Sequence, residues 1–123
     1  MWQTLLWVAA GGALGAVARS LVTGVLFTWV PGAYPWGTLV VNVVGSFAIG
    51  VLFASLSGAL WLHTIARPFL VVGFLGGFTT FSAFSIETLT LLDDGRAGIA
   101  VAYALTSVLL CVGAAWAGVK VAG

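Results

Sequence analysis

Charge is almost absent from this chain, and where it falls constrains the fold more than any other feature. Seven charged residues stand at positions 19, 67, 87, 93, 94, 96 and 120, leaving uncharged stretches of 18, 47, 19 and 23 residues. A helix rises about 1.5 Å per residue, so about 20 apolar residues cross a bilayer core of roughly 30 Å. Once short connections are allowed for, the sequence predicts an all-α membrane protein of four transmembrane helices, a single domain over residues 1–123 with no separate soluble module. Only 6% of the residues are charged, against roughly a quarter in ordinary soluble domains, which rules out a water-soluble globule. A net charge of +1 with four scattered cations gives nucleic acid no basic patch to bind. One cysteine cannot form an intrachain disulfide, and Cys111 with His63 provides too few ligands for a zinc site. No nucleophile with a base and an orienting partner is visible, so the chain is not expected to be an enzyme.

Local punctuation places the spans. Helix one is expected from about Leu5 to Trp29; no Lys or Arg precedes it, so Ala16-Val17-Ala18 reads as part of a retained helix rather than a cleavage site. Pro31 and Pro35 stop it, and Trp29, Tyr34 and Trp36 mark a membrane interface. Helix two is expected from Trp36 or Gly37 to about Trp61, another interfacial anchor, with His63 and Arg67 signalling the exit to water or headgroups. Helix three starts near Arg67-Pro68, with proline in the first turn, and ends around Leu92. Helix four covers about Ala97 to Val121.

Helix three breaks the pattern at mid-membrane depth. Between Gly73 and Ser85 it carries three glycines and four hydroxyl residues, and adjacent glycines followed by two β-branched threonines make a poor helix. Close helix packing explains the glycines; so does a local unwinding, whose freed backbone must be buried in protein or line a polar cavity. Unwound carbonyls and half-helix ends coordinate ions in broken-helix transporters. Gly11 and Gly15, like Gly73 and Gly77, form GxxxG pairs that permit close backbone approach. Thr38, Asn42 and Ser46 share one face of helix two, and Tyr103, Ser107 and Cys111 share one face of helix four. The Asn42 amide must find partners inside the bilayer, as interhelical glue or facing a pathway.

Two charges lie inside the spans. Arg19 either snorkels to headgroups or lines an aqueous vestibule that attracts anions, and a pairing with Glu87 is open. With four crossings, Arg67 and Lys120 fall on the side of the termini and Arg96 and Arg19 on the other, two against two. The positive-inside rule then has almost nothing to act on. A chain without an orientation signal can insert both ways, and four short helices are few to enclose a conduction path. An antiparallel, dual-topology homodimer is therefore expected, the two-chain analogue of an inverted repeat.

Three segments together resemble the Fluc (CrcB) family of fluoride channels: Gly11 to Arg19 (GGALGAVAR), Gly37 to Phe47 (GTLVVNVVGSF) and Gly76 to Ser85 (GGFTTFSAFS). The resemblance covers the whole chain in length and four-helix layout, and the third segment is the most specific. It implies a dual-topology dimer in the cell inner (plasma) membrane with two antiparallel pores, exporting fluoride passively. Phe81 and Phe84 match the family's pore phenylalanines and Asn42 its pore asparagine. Thr38, Thr80, Ser82, Tyr103 and Ser107 match or neighbour its polar track, and Arg19 its vestibule arginine. Gly76 and Thr79 match the positions whose backbone carbonyls, from both subunits, hold a structural sodium ion (Na+). Ala83 stands where a threonine is usual, and Cys111 where a hydroxyl often extends the track.

The chemistry of those residues fits a small anion. Asn and hydroxyl groups donate single hydrogen bonds, and aromatic ring edges carry partial positive charge. Such a lining binds weakly at several sites, as conduction requires. Two other readings compete. A proton-coupled multidrug exporter of dual topology would use a membrane carboxylate; helix one has none, and Glu87 lies near the end of helix three. A non-transporting scaffold explains the glycine stripes but not Asn42 or the threonine pair.

Overall fold

The structure, a computed structural model, describes residues 1–29, 32–56 and 62–123. These residues form helices α1 (Trp2–Trp29), α2 (Trp36–Ser55), α3 (Leu62–Leu75), α4 (Phe81–Asp93) and α5 (Ala97–Ala122), with a single turn, Gly76–Phe78, continuing α3. Four spans are long and apolar enough to cross a bilayer: Trp2–Trp29, Trp36–Ser55, Leu62–Asp93 and Ala97–Ala122. The chain is a multi-pass membrane protein, as the spacing of its charges predicts.

Several boundaries differ from expectation. Helix α1 starts at Trp2 rather than Leu5, because nothing in the first residues breaks a helix. Helix α2 ends at Ser55, where the Leu56 N–H closes back on the Leu52 carbonyl; Trp61, its expected end, lies outside the described residues, as does Pro31. The third span begins at Leu62, so Pro68 sits inside it and not in its first turn. Proline has no N–H and its ring collides with the carbonyl four residues back in an α-helix. Here α3 is wound as a π-helix, whose i→i+5 bonding replaces the α-ladder that Pro68 would interrupt. The turn between α4 and α5 closes as a Schellman motif: Gly95 adopts φ +76°, its N–H bonds the Leu92 carbonyl and the Arg96 N–H the Leu91 carbonyl.

Glycines set which helices touch. A Cβ on Gly11 would run into the Phe69 carbonyl and one on Gly15 into that of Phe74, while one on Gly77 would lie 2.6 Å from the Gly12 carbonyl. The two GxxxG stripes thus put α1 directly against the third span. On the other side of the molecule Gly50 faces the Ala115 carbonyl and Gly118 that of Phe47, joining α2 to α5. The buried centre is small, built from Leu39, Leu91, Ala100 and Tyr103 with Tyr34, Val43 and Phe84 packed on it. Leu21, Leu109 and Trp116 are exposed, an apolar coat suited to lipid.

Candidate functional site

The glycine-threonine sequence of the third span interrupts its winding at two residues. Thr79 (φ −85°, ψ 159°) and Thr80 (φ −151°, ψ 120°) are extended, and helix restarts at Phe81 with the Thr80 hydroxyl accepting from the Ala83 N–H at 3.2 Å. Thr80 is thus an N-cap. The two helical pieces still make one membrane span. Two side chains from other helices reach this point. The Asn42 amide meets both backbone groups of Thr80: its Oδ1 accepts from the N–H at 2.8 Å and its Nδ2 donates to the carbonyl at 3.0 Å. From α1, Arg19 Nε donates to the Gly77 carbonyl at 2.9 Å.

Beside the interruption runs a groove of about 440 Å³ between α2, the third span and α5, open on one face of the chain. Asn42, Gly76, Thr79, Thr80, Phe81, Phe84 and Ser107 line it, together with Ser46 and Cys111. None of the lining residues carries a charge. The Phe81 and Phe84 rings lie 5.4 Å apart, tilted by 41°, and Phe84 rests on Tyr103 at 5.1 Å. Ser107 is 7% exposed, and its hydroxyl has no hydrogen-bond partner among the described residues.

Not every residue singled out from the sequence gathers there. Thr38 and Tyr103 turn instead to Glu87: the Thr38 hydroxyl donates to Oε2 and the Tyr103 hydroxyl to Oε1, both at 2.9 Å. Thr38 is buried and Tyr103 wholly so. Glu87 and Thr38 also line a second cavity, of about 790 Å³, that opens near Tyr34, Trp36, Asp94 and Arg96. Ser82 is exposed, 3.4 Å from the Thr80 hydroxyl and away from the groove lining. Arg19 and Glu87 have different partners, so the pairing left open by the sequence is not made. Glu87 is the functional candidate that sequence reasoning passed over as a pathway or site residue. The signal was present, since a carboxylate inside a span demands donors and Thr38 lies one turn from Asn42 on the same stripe.

The chain can be compared with known proteins on this basis. A family model described as "CrcB-like protein, Camphor Resistance (CrcB)" matches residues 6–119. Proteins named fluoride-specific ion channel are similar to the chain along nearly its whole length. The one from Magnetococcus marinus is 49% identical over 115 residues, 94% of each chain. That of Nitrobacter winogradskyi is 50% identical over 121 residues, 98% of this chain and 95% of its own. That of Rhodospirillum centenum is 53% identical over 117 residues, 94% of this chain and 92% of its own. A match of this length, running through Arg19, Asn42 and the Gly76 to Ser85 segment alike, shows that the chain belongs to the CrcB-like family.

Proposed function

We propose that the chain is a fluoride-selective channel of the plasma membrane, that it lets cytoplasmic fluoride leave passively, and that it works as an antiparallel homodimer. The observation that carries this reading is a groove beside the interruption of the third span whose lining is uncharged and brings Asn42, Thr80, Phe81, Phe84 and Ser107 together. Relatives about half identical to the chain, named as fluoride-specific channels, support it.

Fluoride is small and strongly hydrated, so a pathway must replace its water with donors and yet release it. A full positive charge would hold it too well. The Ser107 hydroxyl has no partner among the described residues, and the Asn42 amide keeps one N–H beyond the one bonded to Thr80. Phe81 and Phe84 offer ring edges between them. Each contact is weak, and several in series allow passage. Thr38, Tyr103 and Glu87 form the polar knot at the end of this path, where Thr38 and Glu87 line the second cavity. Ser82 extends the hydroxyl line from Thr80 on the exposed side. Arg19 contributes positive charge at the depth of the interruption.

The open face of the same groove supports the dimer. Polar backbone and side chains open to lipid are not tolerated in the hydrocarbon region, so the open face needs a cover. Phe81, 78% exposed in the single chain, projects from that face. With the Arg19 side chain turned to Gly77, orientation rests on Arg67 and Lys120 against Arg96, which is too small a difference to fix one topology. A second copy inserted the other way supplies the cover.

The reading includes a sodium ion held by the Gly76 and Thr79 carbonyls of both subunits. What supports it is the donor set. The Thr80 N–H, which regular winding gives to the Gly76 carbonyl, goes to Asn42; the Ala83 N–H, which regular winding gives to Thr79, goes to the Thr80 hydroxyl. Both carbonyls are thereby released from the helix, and oxygen dipoles are what a hard cation requires. Bound there, the ion supplies positive charge that offsets the carbonyl dipoles and favours anions.

Purified protein in liposomes, followed with a fluoride electrode, is expected to release fluoride far faster than chloride. No fluoride flux, or equal chloride flux, overturns the reading. The exporter alternative leans on Glu87, whose two oxygens already accept hydroxyl hydrogens; proton-driven uptake of an aromatic cation, lost in Glu87→Gln, would revive it.

A further inference from the structure

We propose that Asn42 is a positioning residue: by taking both backbone groups of Thr80, it holds the third span unwound and keeps the Gly76 carbonyl out of the helical ladder. Every backbone N–H at membrane depth must have an acceptor. The Thr80 N–H has two candidates, the Gly76 carbonyl four residues back or a side chain. It takes the Asn42 Oδ1 at 2.8 Å, and the other half of the same amide donates to the Thr80 carbonyl at 3.0 Å. One planar amide therefore satisfies a donor and an acceptor on one residue, and Thr80 stays extended at φ −151°.

Asn42 is suited to this by its surroundings. It lies on the α2 face that runs antiparallel to the third span, one turn from Thr38, which meets Glu87. Three residues further along, Gly45 leaves room for Thr79: a Cβ there would overlap the Thr79 methyl, and the Thr79 hydroxyl is tied to the Leu75 carbonyl at 2.9 Å. Helix α2 thus presses its small position on one threonine and its amide on the next. From the opposite side Arg19 takes the Gly77 carbonyl, whose regular partner, the Phe81 N–H, begins the next helix. The interruption is braced from α1 and α2 together. Asn42 is the brace that decides whether Gly76 is free, because it alone accepts the N–H that would otherwise return there.

The acceptor and donor halves of the amide separate in the test. Asn42→Asp keeps an oxygen for the Thr80 N–H; Asn42→Ala keeps neither. The full-length channel, ¹³C-labelled on threonine and reconstituted in lipid bilayers, reports backbone conformation through the Cα and Cβ shifts of Thr79 and Thr80, the only adjacent threonines in the sequence. Wild type and Asn42→Asp are expected to show extended shifts at Thr80, and Asn42→Ala helical ones. Extended shifts in Asn42→Ala, or helical ones in Asn42→Asp, overturn the proposal, so either variant that folds decides it. A second arm rests on the sodium reading above: dimer melting in detergent, titrated with Na+ against K+, is expected to keep its Na+ stabilisation in Asn42→Asp and to lose at least about tenfold in apparent Na+ affinity, roughly 1.4 kcal/mol, in Asn42→Ala. Unchanged Na+ affinity in Asn42→Ala overturns the proposal. A wild-type dimer without any Na+ response, with Thr80 shifts that still follow residue 42, overturns the sodium reading and upholds the positioning role.

Discussion

Two polar regions lie inside the membrane portion of this molecule, and they treat their hydrogen bonds in opposite ways. Around Glu87 everything closes: Thr38 and Tyr103 each give their only hydroxyl hydrogen to one carboxylate oxygen, and both donors are buried. In the groove beside Thr80 that residue's own N–H and carbonyl are satisfied, but the lining is left open: among the described residues the Ser107 hydroxyl has no partner, the Gly76 and Thr79 carbonyls have lost their helical donors, and two phenylalanine rings stand over the gap. A saturated network in an apolar medium serves cohesion, because every unmet group there is costly. An unsaturated one holds places for something that comes from outside. The Glu87 region is therefore read as the anchored end of the path, and the neutral region as the stretch that exchanges contacts with the ion.

Removing the carboxylate is the harshest way to break this contrast. Glu87→Leu leaves two buried hydroxyls without an acceptor, and each hydrogen bond to a charged group contributes about 1.5–3 kcal/mol. Thermal denaturation of the detergent-solubilised protein is expected to show the largest stability loss of these substitutions, with Glu87→Gln, which keeps one acceptor oxygen, milder. A Glu87→Leu protein that melts like wild type would dissolve the distinction between the regions.

The groove should respond on the other axis. Phe81→Ile removes a ring edge but keeps a bulky apolar side chain at a position exposed in the single chain, so the fold is expected to persist. Fluoride efflux from liposomes is expected to fall by about tenfold or more, the equivalent of ~1.4 kcal/mol of ion stabilisation. Retention of wild-type flux would take Phe81 out of the pathway.

How much of this was readable beforehand depends on the range of the interaction. The four spans follow from the positions of seven charges, because an unpaired charge in hydrocarbon is so unfavourable that its absence over about 20 residues is decisive. The interruption at Thr79 and Thr80 is legible in adjacent glycines and β-branched residues, which are local. The fate of the Thr38–Asn42–Ser46 stripe is not. Residues one turn apart on α2 meet Glu87 and Thr80, which are 49 and 38 positions away and themselves nearly two turns apart. Which of two hydroxyls at the same helical phase closes on a carboxylate and which faces a groove depends on how α2 and α5 are rotated against the third span. Period and spacing carry no information on that rotation. Arg19 shows the same limit: its depth was evident, its partner at Gly77 was not.

The finest test compares two hydroxyls one turn apart on α5. Tyr103 and Ser107 share a face and both are buried, yet Tyr103 donates to Glu87 and Ser107 to nothing among the described residues. Tyr103→Phe takes away one donor and leaves a carboxylate oxygen short of a hydrogen bond, so stability is expected to fall by about 1–2 kcal/mol. Ser107→Ala takes away a group whose burial without a partner is itself unfavourable by about 1–3 kcal/mol, so stability is expected to hold or rise slightly. Flux should move the opposite way for Ser107→Ala, dropping severalfold because a donor that the groove offers to an anion is gone. Melting temperature and fluoride efflux measured on the same two preparations settle the matter. If both substitutions shift melting equally and leave efflux alone, Ser107 is packing and the open region is no pathway; if the two readouts cross, an unmet hydroxyl inside the membrane marks where the ion goes.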